Sequence, residues 1–332
     1  MSTTSPPHRA SARRAVGSRE WLLIAACVLA AGVFTATSPY FATVDNLVVV
    51  LRNSVELLLI GLGMTLLMAM GGIDISVGMV MGLSAIVVGQ LLMHGAGPVA
   101  AALAGPACGA VIGIVTASVV VLGRIPAIVG TLGLLGVYRT AIFAALGGDW
   151  LSGLPSSLTN ALSVHVLGVP LVFLLIGVAY LIAYVYLRHT PFGTHLLAIG
   201  NAEEKARLSG VAVRRTRFIA FVASGLLCGL AATFYVSTYR NVEMSIGGTL
   251  ALDAIAAVVL GGTSVLGGRA SLLGTVLGVL LIRILQNGLL LIGVPSLWQT
   301  VVTGALLLIV IAAEGRLGGF TLTRRAPSWR TR

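Results

Sequence analysis

The segment Arg188-His189-Thr190-Pro191-Phe192-Gly193 continues through Gly200-Asn201-Ala202-Glu203-Glu204-Lys205-Ala206-Arg207-Leu208-Ser209-Gly210 to Arg217, and it is a polar stretch set between two long apolar runs. Its place in the chain decides the fold. The flanking runs, 164–187 and 218–237, are each long enough to cross a hydrocarbon layer about 30 Å thick, which takes about 20 helical residues. Backbone groups and charges such as those of 188–217 cannot stay in hydrocarbon, where nothing satisfies them. The segment is therefore a soluble surface presented at one side of a membrane.

Working outward, the same pattern repeats. Apolar runs punctuated by Gly, Pro and charge lie near 21–37, 47–70, 75–94, 98–122, 126–147, 164–187, 218–237, 251–262, 272–292 and 297–314. The chain is 57% hydrophobic and 9% charged, against about 25% charged in a soluble domain. Its mean hydropathy is +1.03. The expected fold is all-α, a polytopic transmembrane bundle of about ten spans with both termini cytoplasmic. One membrane domain, 21–314, carries the 188–217 loop between short tails at 1–20 and 315–332. The run 251–262 is too short to span alone and is expected to extend into its flanks or to form part of a broken, re-entrant element.

Positive charge orients the bundle. With the N-terminus placed in the cytoplasm, Arg9, Arg13, Arg14 and Arg19 precede the first span, Arg124 lies in the second cytoplasmic loop, and Arg188, Lys205, Arg207, Arg214, Arg215 and Arg217 lie in the large loop. Arg269 and the tail residues Arg316, Arg324, Arg325, Arg330 and Arg332 fall on the same side. Only Arg240 lands in an outer loop, while Arg52, Arg139 and Arg283 sit inside or at the edge of spans. The formal net charge of +11 thus reads as membrane topology, with lipid as the surrounding partner, and not as a nucleic-acid surface.

Composition excludes several chemistries. The single lysine, Lys205, stands between Glu204 and Ala206, so no Gly-Lys-Ser/Thr phosphate loop exists and the chain binds no ATP by that route. Cys27, Cys108 and Cys228 each fall in an apolar run without CxxC spacing or a nearby His, which points to packed core residues and to no metal site. The His residues are scattered and no catalytic constellation is present.

Within the large loop, Ala202 to Leu208 is a run of helix formers, with Asn201 as its expected N-cap and Ser209-Gly210 as its end. Glu203 and Glu204 fall in the first turn, where they suit the helix dipole, and Arg207 follows. The reading is a short exposed helix, either a solvated connector or a rigid lever that fits a groove on a soluble partner.

Ionisable groups at membrane depth are functional candidates by default. Asp74 follows Gly71-Gly72 and precedes Ser76, a glycine-broken junction that either lines a path or gate or forms a tight turn capped by Asp74. Arg52 and Glu56, four residues apart, are expected to pair on one helical face. Asp253 either contacts a substrate or caps a helix. Arg283, Gln286 and Asn287 form a polar stripe at i, i+3 and i+4, which serves either one wall of a pore or interhelical hydrogen bonding. Gly274 and Gly278, at GxxxG spacing, read as a packing face.

Four blocks carry a resemblance that covers nearly the whole chain: Gly71-Gly72-Ile73-Asp74-Ile75-Ser76-Val77-Gly78; Gly200-Asn201 with Ala206-Arg207-Leu208-Ser209-Gly210; Leu252-Asp253-Ala254-Ile255-Ala256-Ala257-Val258-Val259-Leu260-Gly261-Gly262-Thr263-Ser264; and Gly267-Gly268-Arg269-Ala270-Ser271. With these the sequence resembles the inner-membrane permeases of ribose-type ATP-binding-cassette importers. The resemblance implies that the large loop holds a coupling helix, so docking on an ATPase subunit falls to Gly200, Asn201, Glu203, Glu204, Ala206, Arg207, Leu208 and Gly210. The candidates for a translocation path or gate remain those read from the residues at membrane depth: Gly71, Gly72, Asp74, Ser76, Asp253, Arg283, Gln286 and Asn287. The resemblance also implies a second permease subunit and an extracytoplasmic solute-binding protein, with ATP and Mg held by the ATPase partner and no cofactor on this chain. The implied cargo is a sugar or sugar-like solute, a pentose or hexose first. Autoinducer-2-like furanosyl compounds, polyols, nucleosides and branched-chain amino acids follow through wider relatives.

Two departures stand out. Gly268-Arg269-Ala270-Ser271 replaces the more usual Gly-Arg-Gly-Ser, and the acidic pair Glu203-Glu204 stands where small residues are commoner. Two other classes compete. An ion-coupled secondary carrier needs a buried carboxylate that titrates or binds the ion, for which Asp74, Asp253 and Glu56 are the candidates. A membrane enzyme needs clustered His, Asp or Glu at a membrane face, which the sequence lacks.

Overall fold

The computed structural model describes residues 18–295, 297–305 and 308. Helices α1 (Ser18–Thr37), α2 (Val44–Ala69), α3 (Val77–Met93), α4 (Pro98–Ala117) and α5 (Ala127–Leu146) come first, with a π-helical turn, Ser118–Leu122, continuing α4. A short α6 (Ser157–Leu162) and a hairpin of β1 (His165–Val166) and β2 (Val169–Pro170) follow, then α7 (Leu171–His189), α8 (Pro191–Asn201), α9 (Glu203–Leu208), α10 (Val213–Tyr239), α11 (Leu250–Leu260) and α12 (Leu272–Leu291). Residues 297–305 are again helical.

Among the described residues, seven helices are long and apolar enough to cross a membrane: α1, α2, α4 with its π-helical turn, α5, α7, α10 and α12. Two of the expected ten runs, now α3 and α11, are apolar but only 17 and 11 residues long. By length α11 is too short for a full crossing, and α3 stands at the lower limit of about 17 residues. Most of the expected N-terminal tail, the end of the 297–314 run and the 315–332 tail lie outside the described residues. The run expected as one helix from 164 instead begins with the hairpin. Left-handed backbone at Leu167 (φ 53°) and Gly168 (φ 78°), followed by Pro170, delays the helix to Leu171.

Two helices form the centre of the bundle. From Ser54 to Ala69 every residue of α2 is buried. The α10 helix lies along α4 with backbones in contact, because Gly105, Gly109 and Gly113 face Gly225 and Gly229, where a Cβ would strike the opposing chain. Small residues let membrane helices approach closely enough for packing, rather than the hydrophobic effect, to hold them. The same device joins α12 to α11, with Gly274 and Gly278 set against the backbone of Gly261 and Ala257, so the expected packing face is used for packing. Paired hydroxyls of Thr65 and Thr275, 2.7 Å apart, tie α2 to α12, and the Tyr180 hydroxyl of α7 donates to the Leu58 carbonyl at 2.9 Å.

The bundle has two distinct ends. At one, Arg19 donates to the Val259 carbonyl at 3.0 Å beside Gly262. Arg124, Arg207, Arg214 and Arg217 gather there with Gly71 and Gly72. At the other, Leu151 and Val242 form an antiparallel bridge, and Arg240 Nε donates to the Leu154 carbonyl at 2.8 Å.

Candidate functional site

The polar loop is a pair of helices meeting at one extended residue. Thr190 and Pro191 stop α7 and start α8, since proline fixes φ and its missing N–H is not needed in a first turn. Ala202, at φ −165° and ψ 97°, then breaks the chain between α8 and α9. Asn201 is not the N-cap of α9. It is the last residue of α8, and its side-chain amide donates to the Leu197 carbonyl one turn back, at 2.9 Å. That bond removes it from capping duty, and Ala202 stands at the cap position with no side chain to offer.

Glu203 and Glu204 occupy the first turn of α9 as expected. Glu204 accepts from Arg207 at 2.7 Å, which raises the guanidinium pKa above its ordinary value, and Glu203 grips Arg217 of α10 through two bonds of 2.8 and 3.1 Å. Ala206 is buried against the bundle, whereas Leu208 is 79% exposed. Gly210, at φ 83°, turns the chain back toward α10. The outcome is a short helix with its charged and apolar surface facing outward and its root bonded to α10.

The root of α8 is tighter still. Gly200 lies against the Ala69 carbonyl, the Gly268 amide and Gly267, with no room for a methyl group. Gly268 N–H donates to the Ala69 carbonyl at 2.9 Å, and Gly71 (φ 76°) passes beside the Leu266 carbonyl. Three chain segments, the ends of α2, α8 and the loop after α11, thus meet backbone to backbone. The sequence singles out Gly71 and Gly200 separately; the Gly-Gly doublets after two apolar helices, 71–72 and 267–268, are the signal that they belong together.

Beyond that junction Asp74 is buried, and one carboxylate oxygen accepts from both the Ser76 amide (2.8 Å) and the Ser76 hydroxyl (2.6 Å). This geometry organises the start of α3. Two residues on, Gly78 meets the backbone of Gly247, so the N-terminal ends of the two short helices α3 and α11 approach each other through glycine.

Inside the bundle, the α12 stripe is brought together with residues from other helices. Arg283 donates to Gln286 at 2.8 Å and lies 3.9 Å from Glu56 of α2. Gln286 donates to Asp253 of α11 at 3.4 Å and to Thr303 at 3.5 Å. Asn287 exchanges two amide bonds with Asn46 of α2, 2.9 and 3.0 Å. The expected Arg52–Glu56 pair does not form: Arg52 is exposed and Glu56 is buried against Arg283. A buried carboxylate needs a partner in the same low-dielectric interior, and the i,i+4 neighbour faces outward. Asp253 sits in the first turn of α11 without a capping bond from its side chain, so it serves the network and not the helix end. Arg283 Nε is buried without a partner in this arrangement. Sequence spacing has no means of showing Glu56, Asn46 and Thr303 as members, since each reaches the stripe from a remote segment.

Between the polar end of the bundle and α9 opens a cavity of about 450 Å³ lined by Gly71, Gly72, Arg124, Glu203, Arg207, Arg214 and Arg217 with Val120, Val121 and Phe221.

Comparison with known proteins finds sequence relatives along most of the chain. The autoinducer 2 import system permease protein LsrC of Enterobacter sp. (strain 638) is 38% identical over 305 residues, 90% of this chain and 88% of the relative. The ribose import permease protein RbsC of Escherichia coli (strain K12) is 34% identical over 311 residues, 90% of this chain and 96% of the relative. Its namesake in Bacillus subtilis (strain 168) is 36% identical over 279 residues, 83% and 87% of the two chains. No solved structure matches the chain. The family model for the branched-chain amino acid transport system / permease component matches residues 46–311, and the chain is a member of that permease family.

Proposed function

We propose that this chain is the permease subunit of an ATP-binding-cassette importer, a multi-pass protein of the bacterial inner membrane that forms the translocation path for a sugar or sugar-like solute. The observation that carries the reading is the likeness to ribose and autoinducer 2 import permeases over nine-tenths of the chain. The α8–α9 pair supports it, because a lever exposed at one end and clamped at its root to α2 and the loop after α11 is the shape a driven subunit needs.

In this reading α9 enters a groove on a separate ATPase subunit, which holds ATP and Mg, while this chain carries no cofactor and no catalysis. The contact surface is Glu203, Glu204, Arg207 and Leu208, with Gly200, Asn201, Ala206 and Gly210 setting its angle. The polar end with Arg19, Arg124 and Arg217 faces the cytoplasm, as the positive-inside rule requires. A solute-binding protein delivers cargo at the opposite end, and a second permease subunit completes the path. Gly71, Gly72, Asp74 and Ser76 form the inner gate, and Asp253, Arg283, Gln286 and Asn287 provide the polar lining that a hydroxylated solute meets. A pentose or hexose is the first choice of cargo.

The secondary-carrier reading is not favoured. Each of its candidate carboxylates is engaged, Glu56 beside Arg283, Asp253 with Gln286 and Asp74 with Ser76. The test is purification of the chain from its native membrane in mild detergent, with identification of what stays bound, followed by reconstitution. Recovery of an ATPase and a binding protein, with uptake that requires ATP, supports the importer; a chain that transports alone without ATP refutes it. Replacing Glu203, Arg207 and Gly210 is expected to separate ATP hydrolysis from uptake with membrane insertion intact, and unchanged coupled uptake refutes the docking surface.

A further inference from the structure

The cavity beside α9 is lined by four guanidinium groups, those of Arg124, Arg207, Arg214 and Arg217, and one carboxylate, Glu203. The pairing within it is uneven. Arg217 is held by Glu203 and Arg207 by Glu204. Arg124 and Arg214 have no carboxylate partner among the described residues, and they reach the cavity from separate elements, the turn between the π-helical segment and α5 and the first turn of α10. Arg124, Arg207 and Arg214 are exposed and Arg217 is half-buried, and all four line one concave space. Convergent positive charge in a cleft raises the local concentration of anions, and guanidinium groups bind phosphate oxygens in a fixed fork.

Size and apolar lining narrow the ligand. A cavity of about 450 Å³ falls in the range of about 300–1,000 Å³ that holds small organic molecules, and Val120, Val121 and Phe221 supply an apolar wall. We propose that this cavity binds a phosphate ester, its phosphate between Arg124 and Arg214 and its organic part against that wall. A soluble sugar phosphate and a phospholipid headgroup both supply this chemistry. The proposal rests on the importer reading only for which side of the membrane the cavity faces.

The test uses the full chain alone in phosphatidylcholine nanodiscs, without ATPase or binding protein, so its result is independent of whether the chain is an importer. Glucose 6-phosphate is titrated calorimetrically, with glucose and inorganic phosphate for comparison. Expected are binding at least tenfold tighter for glucose 6-phosphate than for glucose, weakening with salt, and at least a further tenfold loss in the R124Q/R214Q double variant, with R124K recovering only part of the affinity because it keeps the charge and loses the fork. Where glucose 6-phosphate does not bind, native mass spectrometry in nanodiscs containing phosphatidylglycerol decides. Phosphatidylglycerol retained by the wild type and lost from the double variant assigns the site to a lipid headgroup. Equal behaviour of wild type and variant toward both ligands overturns the proposal. Should the double variant not fold, phenylglyoxal modification of the wild type replaces it: protection of Arg124 and Arg214 by glucose 6-phosphate or phosphatidylglycerol supports the site, and equal modification with and without them overturns it.

Discussion

Gly200→Ala tests whether the junction at the root of α8 transmits force. A Cβ built there falls within contact distance of the Ala69 carbonyl oxygen and the Gly268 amide nitrogen and 3.0 Å from the Gly267 carbonyl carbon. Carbon atoms pack comfortably at about 3.5–4.0 Å, so backbone on at least two sides must retreat, and backbone does not rotate away as a side-chain tip does. Overpacking of this kind costs about 1–3 kcal/mol, and stretching the Gly268–Ala69 bond adds about 1 kcal/mol. At about 1.4 kcal/mol per factor of ten, the total of about 2–4 kcal/mol lowers the population of the engaged junction between about thirtyfold and several hundredfold. The exposed face of α9 is untouched, so ATPase binding persists. Reconstituted with ATPase and binding protein, the variant is expected to hydrolyse ATP with little dependence on loaded binding protein and to import correspondingly less solute per ATP. Gly133→Ala, at a helical position with nothing within 4 Å, is the control and is expected to be neutral or more stable by up to about 1 kcal/mol. Coupled uptake by Gly200→Ala at the wild-type ratio, with unchanged thermal stability, refutes the reasoning.

The intramembrane pair predicts strong non-additivity: Glu56→Gln and Arg283→Met should each lower thermal stability in nanodiscs, by up to about 3–5 kcal/mol for an orphaned buried charge, while the double variant loses less than the sum; additive losses show that the 3.9 Å approach is not a working pair. Asp74→Asn keeps an acceptor for both Ser76 bonds and should cost about 1 kcal/mol or less, whereas Asp74→Ala removes two bonds to a carboxylate and should cost about 2–4 kcal/mol in the same unfolding measurement. If Asp74→Asn is instead stable but abolishes uptake, the charge serves transport and not the turn. The exposed Glu204–Arg207 pair should contribute under about 1 kcal/mol to unfolding, so a large loss of ATPase capture by Glu204→Gln with unchanged melting assigns that pair to docking. Finally, Gly200→Ala and Glu56→Gln sit at sites about 20 Å apart along α2 at 1.5 Å per residue, and distant sites add within about 0.5 kcal/mol. A larger coupling energy in stability shows that α2 connects them.

What the sequence makes legible, and what it hides, follows from the range of each signal. Apolar runs report span-length helices well because every residue in them contributes, and the polar break at 188–217 is visible for the same reason. The hairpin before α7 is hidden at the start of a mostly apolar run, where only His165, Gly168 and Pro170 interrupt the pattern. Local spacing predicts the Glu203-Glu204 turn of α9 correctly but assigns Asn201 to the wrong helix, because the competing acceptor, the Leu197 carbonyl, exists only once α8 forms. Spacing likewise pairs Glu56 with Arg52, when the partner arrives from α12, more than two hundred residues later.

Two of the helices that contribute to the polar network, α2 and α11, also lead to the glycine junction. The α2 helix carries Asn46 and Glu56 toward one end and finishes at Ala69, whose carbonyl receives the Gly268 amide. The α11 helix carries Asp253 in its first turn and leads through Gly261-Gly262 into the same loop. Both are packed through glycine or hydroxyl contacts on α12, which supplies Arg283, Gln286 and Asn287. A displacement of α8 therefore has no compressible material to dissipate in: it meets backbone at Gly200, and α2 carries it onward through a stretch buried from Ser54 to Ala69. Coupling of this kind requires an element with two arrangements rather than a mere chain of contacts. The short α3 and the segment leading into α11 meet backbone to backbone at Gly78 and Gly247, so their relative movement is the one to test for two arrangements.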